Sequence, residues 1–359
     1  MLGRSWVEID LNGLKQNYIN YKSSLFSGQE VIAVVKANAY GHGDVEVAKA
    51  LESVGVSHFA VATIEEGVRL RRVGVKGTIL ILSYTPISCL EIACKHNLMQ
   101  TIISEEYAYD VCKLNLPLKV QIAIDTGMNR IGLKCENVQE CIFEIKKYAK
   151  LLQVVGVFTH LSSADSFENR DFTQGQIERF KQIAEGCRNL SFEFVHCLNS
   201  LGGVNYNDGY LKYVRLGMLL YGLENVTNVD IKPVLQWKSV VSMVKAVKEN
   251  EYVGYGTAYK TNKSMVIATI PTGYADGYSR RLSNKGSIII NGKKASIIGK
   301  ICMDQFMVDA SDCGNIKHGD EVVLLGDGYS ACDMAKDVDG ISYEIPCFIS
   351  SRVARIYKE

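Results

Sequence analysis

Lys36 is the residue of this sequence best placed for covalent chemistry. It ends the apolar run VIAVV, so its amine is expected to be partly removed from water. Such burial lowers the pKa of a lysine and favours the neutral, nucleophilic amine, which can form an imine with an aldehyde. The alternative is a lysine whose stem lies along a strand end with its ammonium group in water. Gly41, Gly43 and the N-cap candidate Asp44 predict a tight loop that opens a helix directly afterwards.

Other polar side chains also follow short apolar runs. Arg215 precedes Leu-Gly-Met, a pattern typical of a strand end whose exposed amides hold a phosphate, although a structural ion pair would explain an arginine there equally well. His160 ends the segment GVFTH and could act in catalysis or be a hydrogen-bonded core histidine. The whole set, in chain order, is Lys36, Arg130, His160, Asn199, Ser200, Arg215 and Gly217.

The elements that carry these residues repeat a strand-then-helix pattern eight times. Each strand candidate is a short β-branched run, and the stretches between them carry apolar residues at helical spacing. Eight such units predict a parallel (β/α)8 barrel, in which the carboxyl ends of the strands form the active site. Convergence of so many polar residues at that mouth is hard to explain as packing. The strand candidates are Val31–Val35, Phe59–Ala62, Thr78–Leu82, Thr101–Ile103, Val120–Asp125, Val154–Thr159, Phe192–Cys197 and Tyr213–Leu216.

After Pro233 the pattern changes to glycine-punctuated alternating segments, which predict a mainly antiparallel β domain. Asn291-Gly292 stands between two apolar runs and indicates a two-residue hairpin turn, because both central positions of a type I′ turn need a positive φ. We therefore divide the chain into residues 1–10, an N-terminal strand expected to pack with the β domain, residues 11–233, the barrel, and residues 234–359, the β domain. No low-complexity linker separates the two large domains.

Composition excludes several classes of protein. The 359 residues contain 40 Lys+Arg and 39 Asp+Glu, a net charge of +1 that argues against nucleic acid or an anionic membrane as a partner. Eleven cysteines without a C-x-x-C pair predict reduced thiols in a cytoplasmic protein, and six scattered histidines predict no metal site. The apolar runs are too short to cross a bilayer. The sequence leaves open a whole protein or the cytoplasmic part of a longer, membrane-anchored chain.

The segment VIAVVKANAYGHG resembles the site that binds pyridoxal phosphate (PLP) in bacterial alanine racemases. The likeness continues along the whole chain, through DTGMNRIG, FTHLSSAD, LNSLGG, VRLGMLLYG, VGYGTAY, PTGYADGYSR, GKICMDQFMVD and SYEIPCFISSRVAR. It implies an N-terminal barrel and a C-terminal β domain, as the element pattern does. It also implies a head-to-tail homodimer with shared active sites and a small amino acid as substrate.

The resemblance assigns a role to each candidate residue. It implies that Lys36 binds PLP and is the base on one face of the substrate, and that Tyr255 of the partner subunit is the base on the other. Two bases suit racemisation because protons must reach both faces of a planar carbanion. Arg215 would bind the pyridine nitrogen, and as a donor-only cation it would keep that nitrogen unprotonated. The remaining assignments are His160 beneath Arg215; Tyr40, Asn199, Ser200, Gly217 and Met218 around the cofactor and its phosphate; Arg130 and Met303 at the substrate carboxylate; and Tyr274 and Asp304 nearby.

This chain departs from the family at two positions. Ala123 stands where many members carry a carbamylated lysine that orients the arginine, so a bound anion or Gln121, on the same strand face, is expected to steady Arg130. Ser351 is aligned with a tyrosine that crowds the substrate side chain in the family. A serine there predicts a larger, more polar pocket that admits serine beside alanine, because rejecting one hydroxyl is worth only about 1–3 kcal/mol.

The leading interpretation is therefore a PLP-dependent racemase of alanine, with serine as an additional substrate, that supplies a D-amino acid for peptidoglycan precursors. Three alternatives remain open. One is a dedicated serine racemase of a glycopeptide-resistance system, which the segment FTHLSSAD followed by FTQGQIERF also resembles. The second is a basic-amino-acid decarboxylase of the related fold. The third is a protein that carries PLP without catalysing a reaction, but such a protein would give the β domain no assigned function.

Overall fold

The computed structural model describes residues 3–359 and places a nearly closed ring of parallel strands ahead of an antiparallel sheet. This arrangement confirms the predicted fold, and each of the eight predicted barrel strands is present within two residues of its predicted bounds. The first strand, β1, is Ser5–Asp10. The barrel strands that follow are β2 Glu30–Val34, β3 His58–Val61, β4 Thr78–Ile81, β5 Met99–Ile102, β6 Lys119–Ala123, β7 Gln153–Phe158, β8 Phe194–His196 and β9 Tyr213–Leu216.

Neighbouring barrel strands pair in parallel in the order β8-β7-β6-β5-β4-β3-β2-β9. The gap between β8 and β9 is bridged just beyond the end of β8, where the Arg215 amide donates to the Leu198 carbonyl at 3.0 Å. The helices of this domain are Leu11–Ser23, Asp44–Ser53, Ile64–Arg72, Leu90–Lys95, Glu105–Lys113, Val138–Ala149, Arg170–Gly186 and Ser200–Asn205.

Alternation along the strands gives the barrel two apolar layers. Every second strand residue points inward and fills the barrel, while the residues between them pack beneath the helices. The inner layer consists of Ile32, Val34, Ala60, Leu80, Met99, Ala123, Phe158, Phe194 and Tyr213. Because this layer fills the lower part of the barrel, polar side chains that also point inward can reach a cavity only at the upper end.

The second domain is one large, mainly antiparallel sheet, in which, among the described strands, only β1 and β19 pair in parallel, with two short helices, Ala331–Val338 and Glu344–Cys347. Strand β1 is built into this sheet, between β10 and β19, so residues that precede the barrel pack with the β domain. The sheet order is β11-β14-β17-β16-β15-β18-β10-β1-β19, and β12 pairs with β13 alone. The strands are β10 Leu235–Val240, β11 Met243–Val247, β12 Tyr252–Val253, β13 Tyr259–Lys260, β14 Met265–Ile270, β15 Ser287–Ile290, β16 Lys293–Ile298, β17 Phe306–Asp309, β18 Glu321–Leu325 and β19 Ala354–Lys358.

The predicted hairpin at Asn291-Gly292 is confirmed. Strands β15 and β16 pair antiparallel with Ile290 opposite Lys293, and the two turn residues have φ values of 50° and 73°. An asparagine and a glycine adopt these angles more easily than other residues do.

The two domains meet directly behind Lys36. A Cβ atom at Gly41, whose φ is +83°, would overlap the carbonyl of Pro346 in helix Glu344–Cys347. Arg355 of β19 donates from Nε to the Gly41 carbonyl at 3.1 Å. The loop that follows Lys36 is therefore fixed by both domains. No helix within residues 3–359 is long and apolar enough to span a bilayer.

Candidate active site

A cavity of about 1190 Å³ opens at the carboxyl ends of the barrel strands. Both domains contribute to its wall, because residues around Ile341 and Tyr343 close one side. Every barrel residue singled out in the sequence lines it: Lys36, Tyr40, Arg130, His160, Asn199, Ser200, Arg215, Gly217 and Met218. The structure thus brings together, in one cavity, polar residues from the loops that follow five different strands.

Lys36 follows β2 and is partly buried in this cavity. Burial lowers the pKa of its amine, and the nearby positive charge of Arg130 lowers it further, against an opposing effect of Glu66. Both favourable causes act by disfavouring the ammonium form. The environment therefore favours the neutral amine that the sequence predicted.

The four residues after Lys36 form a left-handed turn. Ala37, Asn38, Ala39 and Tyr40 all have φ between 52° and 55°, a conformation that costs a non-glycine residue roughly 1–2 kcal/mol each. Such local strain persists only where surrounding contacts hold it, and it is characteristic of functional sites.

Two polar side chains, the partly buried Glu66 and the buried His42, hold this turn. The carboxylate of Glu66 accepts a hydrogen bond from the Ala37 amide at 2.6 Å. The ring of His42 lies 3.0 Å through Nδ1 from the Ala39 carbonyl and 2.9 Å from the Tyr40 carbonyl, so Nδ1 must carry the proton. The sequence does not predict that Glu66 and His42 hold this turn, because no residue type in the segment indicates a left-handed turn without glycine.

The turn places the Tyr40 hydroxyl beside Gly217. That oxygen lies 2.8 Å from where a Cβ at Gly217 would be, so the approach requires glycine. The Gly217 amide donates to the Ser200 hydroxyl oxygen at 2.8 Å, which leaves the hydroxyl proton of Ser200 free to donate elsewhere. Asn199 accepts from the Gly202 amide at 2.8 Å and caps helix Ser200–Asn205, and this fixes the position of Ser200. The result is a small cradle of donors suited to a phosphate.

Arg215 is 4% exposed, and its guanidinium forms no ion pair with any described residue. The ion-pair explanation of this residue is therefore wrong. Burial lowers its pKa to about 10. It donates instead to the Thr159 carbonyl at 2.8 Å, the Cys197 carbonyl at 3.0 Å, and the Nδ1 atoms of His160 at 3.0 Å and His196 at 2.5 Å. These acceptors fix the guanidinium plane at the base of the cavity.

Arg130 lies on the loop after β6, and its side chain makes no hydrogen bond or ion pair within residues 3–359. The expectation that Gln121 steadies it is wrong, because the Gln121 oxygen lies 2.8 Å from Nε2 of His196. Ala123 belongs to the inner apolar layer and offers no polar contact. Arg130 is thus available to an anion that enters the cavity.

Two arginines, Arg130 and Arg215, line this cavity together with Lys36. Arg130 and Arg215 both lower the pKa of Lys36, and Arg130 lowers that of Arg215. The carboxylate of Asp125, on the loop that follows β6, accepts hydrogen bonds from the amides of Gly127 and Asn129 at 2.9 and 3.0 Å. The part of the cavity around Lys36, Arg130 and Arg215 therefore favours an anionic ligand.

The candidate residues of the β domain do not line this cavity. Tyr255 is 72% exposed, Met303 53% and Tyr274 44%, and Asp304 is exposed as well. Backbone hydrogen bonds from Tyr274 to Cys302 and from Ala275 to Met303, at 3.1 and 3.0 Å, hold two of their loops together. One chain therefore presents the lysine inside the cavity and the tyrosines and Met303 on a separate, solvent-facing surface.

Ser351 is also exposed and does not line the cavity. The structure places Tyr343 there instead, eight residues earlier, where burial raises the pKa of its hydroxyl. Tyr343 is close enough to raise the pKa of Tyr40 as well. The expectation of an enlarged pocket at Ser351 is corrected, because a tyrosine already fills the wall. The tyrosine that crowds the cavity is therefore the one in the motif SYEIPC, and not a residue at position 351.

The buried histidines predict acid sensitivity. Burial lowers the pKa of His42 to about 4 and of His160 to about 2, and it lowers that of His196 well below 6.5. In the unfolded chain these groups titrate near 6.5, so below that pH the unfolded state binds more protons than the native state. We expect the free energy of unfolding to be constant above about pH 7. It should fall by about 1.4 kcal/mol per pH unit for each histidine as the pH drops from about 6 towards 4.

Urea unfolding at several pH values would measure this slope. His42→Asn keeps a donor near the Nδ1 position but removes one titrating group, so it should reduce the slope by about a third. His318→Gln, at an exposed residue, is the control and should leave the slope unchanged. A wild-type stability that is flat between pH 7 and 5 would contradict the assignment of neutral, buried rings.

The chain is similar to known proteins in both sequence and fold. The sequence matches the family model "Alanine racemase, N-terminal domain" over residues 9–225 and "Alanine racemase, C-terminal domain" over residues 234–357. The alanine racemase of Halothermothrix orenii is 40% identical, over 99% of this chain and 97% of the relative. The solved alanine racemase of Clostridium difficile 630 has a TM-score of 0.93 at 36% identity and covers 100% of this chain and 97% of its own. That of Bartonella henselae, solved with covalently bound pyridoxal phosphate, has a TM-score of 0.88 at 30% identity, with 99% and 100% covered.

Proposed function

The chain belongs to the alanine racemase family, and from that membership we propose that it interconverts L- and D-alanine with PLP as its cofactor. The observation that carries the proposal is a partly buried lysine whose pKa is lowered by burial and by two arginines, Arg130 and Arg215, that line the same cavity. The test is direct: the purified protein, supplied with PLP, should convert either alanine enantiomer to the racemate in a chiral-product assay. A protein that leaves both enantiomers unchanged would refute the proposal.

The residues of the cavity fit this cofactor. Tyr40, Ser200, Gly217 and Met218 would surround its phosphate, with the free hydroxyl proton of Ser200 as a donor. Lys36 would supply the amine for its aldehyde, and Arg215 would offer an N–H donor to its ring nitrogen. When bound, PLP withdraws electrons from the Cα atom of an attached amino acid and makes the Cα–H bond acidic. Because Arg215 can only donate, it favours an unprotonated ring nitrogen and a moderate withdrawal of electrons. A moderate effect favours return of the proton to Cα over side reactions.

Lys36 can take or return the Cα proton on one face of the substrate, because its amine is held in the cavity with a lowered pKa. Racemisation needs a second acid or base on the opposite face, and Tyr255 of the same chain is exposed and does not line the cavity. We therefore propose a homodimer in which the partner subunit's Tyr255 supplies that group. Met303, Tyr274 and Asp304, which are exposed on the same domain, would accompany it, and Arg130 would bind the substrate carboxylate through its guanidinium fork.

Two other activities are distinguished by simple assays. A decarboxylase would release carbon dioxide from a basic amino acid, whereas a racemase changes only optical rotation. A PLP carrier would bind the cofactor without either reaction. The proposed two bases favour the racemase, because proton return to both faces is what they provide.

The lining of the cavity bears on whether serine is a substrate beside alanine. Tyr343 in the wall supports a preference for alanine over serine, since its ring occupies space near the substrate end of the cavity. Tyr343→Ser should raise the ratio of kcat/KM for serine to that for alanine roughly ten-fold. Discrimination against one extra hydroxyl in such a pocket is worth about this factor in kcat/KM. Ser351→Tyr is the matched control and should leave the ratio unchanged. An unchanged ratio in Tyr343→Ser, or a strong serine preference in the wild type, would favour the dedicated serine racemase instead.

We also propose that the D-alanine formed supplies peptidoglycan precursors and that the protein acts in the cytoplasm. The eleven free thiols of the chain support a reducing compartment.

A further inference from the structure

We propose that Gln121 is a positioning residue for the proposed racemase, because its side-chain oxygen fixes the tautomer of His196 and thereby the orientation of Arg215. The inference rests on the proposed function for its kinetic part. Its structural part rests on three side chains that lie in a line across the barrel: Gln121 on β6, His196 on β8 and Arg215 on β9.

The direction of each hydrogen bond follows by elimination. The guanidinium of Arg215 has only donors, and it lies 2.5 Å from Nδ1 of His196, so Nδ1 must accept. A neutral imidazole with an accepting Nδ1 carries its proton on Nε2. That nitrogen lies 2.8 Å from Oε1 of Gln121, which can accept, whereas the amide NH2 group could not. A reversed glutamine would place a hydrogen on Nδ1, directly against the arginine.

The surroundings hold this arrangement in place. Gln121 and His196 are both fully buried, and Phe158 stacks on the imidazole with a centroid distance of 5.0 Å and an interplanar angle of 8°. The remaining amide group of Gln121 points at the sulfur of Met99, 3.8 Å away. Within the described chain, Oε1 of Gln121 is the only hydrogen-bond partner of Nε2 of His196. Gln121 therefore accepts the Nε2 proton of the same tautomer in which Nδ1 accepts from Arg215.

The chain of bonds reaches the cavity through Arg215. His196 provides two of the five acceptor atoms that fix its guanidinium plane, and its Nδ1 makes the shortest of these bonds. If His196 changed tautomer, two donors would face each other and the guanidinium would turn away. Because Arg215 is assigned to the cofactor and Arg130 to the substrate, the change should affect kcat more than KM.

The first measurement is the 15N spectrum of the histidine-labelled protein, with His196 assigned by comparison with His196→Gln. We expect a pyridine-like signal for Nδ1 and a pyrrole-like signal for Nε2. A proton on Nδ1 in the wild type would overturn the proposal, whether or not the protein racemises alanine. Failure of racemisation in the wild type, by contrast, counts against the proposed function only, and the nitrogen signals still decide the tautomer.

The second measurement compares three variants. Gln121→Met has nearly the same shape but replaces the amide oxygen with a weakly accepting sulfur, and it should interchange or broaden the two nitrogen signals and lower kcat roughly ten-fold with KM within about two-fold. Gln121→Glu keeps an acceptor and cannot donate when ionised, so it should retain the wild-type tautomer and restore most of kcat. Gln100→Met removes another buried glutamine, on the neighbouring strand β5 and outside the cavity.

Gln100→Met should alter the melting temperature but neither the His196 signals nor kcat. If Gln121→Met behaves like Gln100→Met, or if Gln121→Glu loses activity as Gln121→Met does, the positioning role is excluded. The wild-type spectrum and the Gln121→Glu variant decide the question even if Gln121→Met does not fold.

Discussion

Mixing purified Lys36→Ala protein with purified Tyr255→Phe protein should restore racemisation that neither protein has alone. In the proposed dimer each site uses Lys36 of one subunit and Tyr255 of the other. A heterodimer of the two variants therefore contains one site with both native residues and one site with neither. Free exchange of subunits makes about half of the dimers heterodimers, each with one intact site of two, so about a quarter of wild-type activity should return.

The single variants fix the starting point. Lys36→Ala should lose both racemisation and the absorbance of the covalently held cofactor, because it lacks the amine. Tyr255→Phe should keep that absorbance and lose racemisation, because only the proton on the opposite face is affected. Racemisation by Tyr255→Phe at the wild-type rate would remove the second base from the mechanism.

The double variant Lys36→Ala/Tyr255→Phe is the control for mixing. Combined with wild type, it forms heterodimers in which each site lacks one of the two bases, so activity should fall below that expected from dilution. Native mass spectrometry would verify subunit exchange. No recovery in the single-variant mixture, once heterodimers are demonstrated, would show that the two residues do not act across subunits.

Gly41→Ala should abolish cofactor binding and destabilise the protein by at least about 4 kcal/mol, a size reached only by severe disruptions. The new Cβ would overlap the Pro346 carbonyl, a backbone atom of the other domain that cannot move away as a side chain could. The positive φ of +83° adds strain of its own. Relief requires separation of the domains or distortion of the left-handed turn after Lys36, and either moves Tyr40 from its phosphate cradle.

Gly55→Ala separates the two effects. Gly55 has a φ of +91° but nothing within 4 Å of its Cβ position, so it should cost only the conformational strain of about 1–2 kcal/mol. Urea unfolding and the absorbance of bound PLP would be measured for both variants. Equal losses of stability in the two variants would mean that the contact with Pro346 does not constrain the loop.

Sequence patterns predicted the barrel well because its strands are short apolar runs at the regular spacing of a parallel barrel. The same regularity placed Lys36, His160, Ser200 and Arg215 at one end of the barrel, where the cavity is. Period-two alternation also put Gln121 on an inward face. Alternation, however, gives the direction of a side chain and not its partner across the barrel, so Gln121 was assigned to Arg130 rather than to His196.

Two features lay beyond this reasoning. The left-handed turn at Ala37–Tyr40 contains no glycine, and it is held by the neighbouring His42 and by Glu66, a contact that only the fold creates. Tyr343 lies just before the four-residue helix Glu344–Cys347, and Ser351 lies in the loop after it. Neither position belongs to a periodic pattern that sets a register, so the sequence does not distinguish Ser351 from Tyr343 as the residue that crowds the cavity.

The positive cavity has a practical consequence for measuring this protein. Arg130 has no partner in residues 3–359, and Arg215 and Lys36 lie near it without a paired carboxylate. Sulfate, phosphate and other multivalent buffer anions are drawn to the same charges as the ligands. They should compete with alanine and stabilise the protein before cofactor is added, so apparent affinities will depend on the buffer in which they are determined.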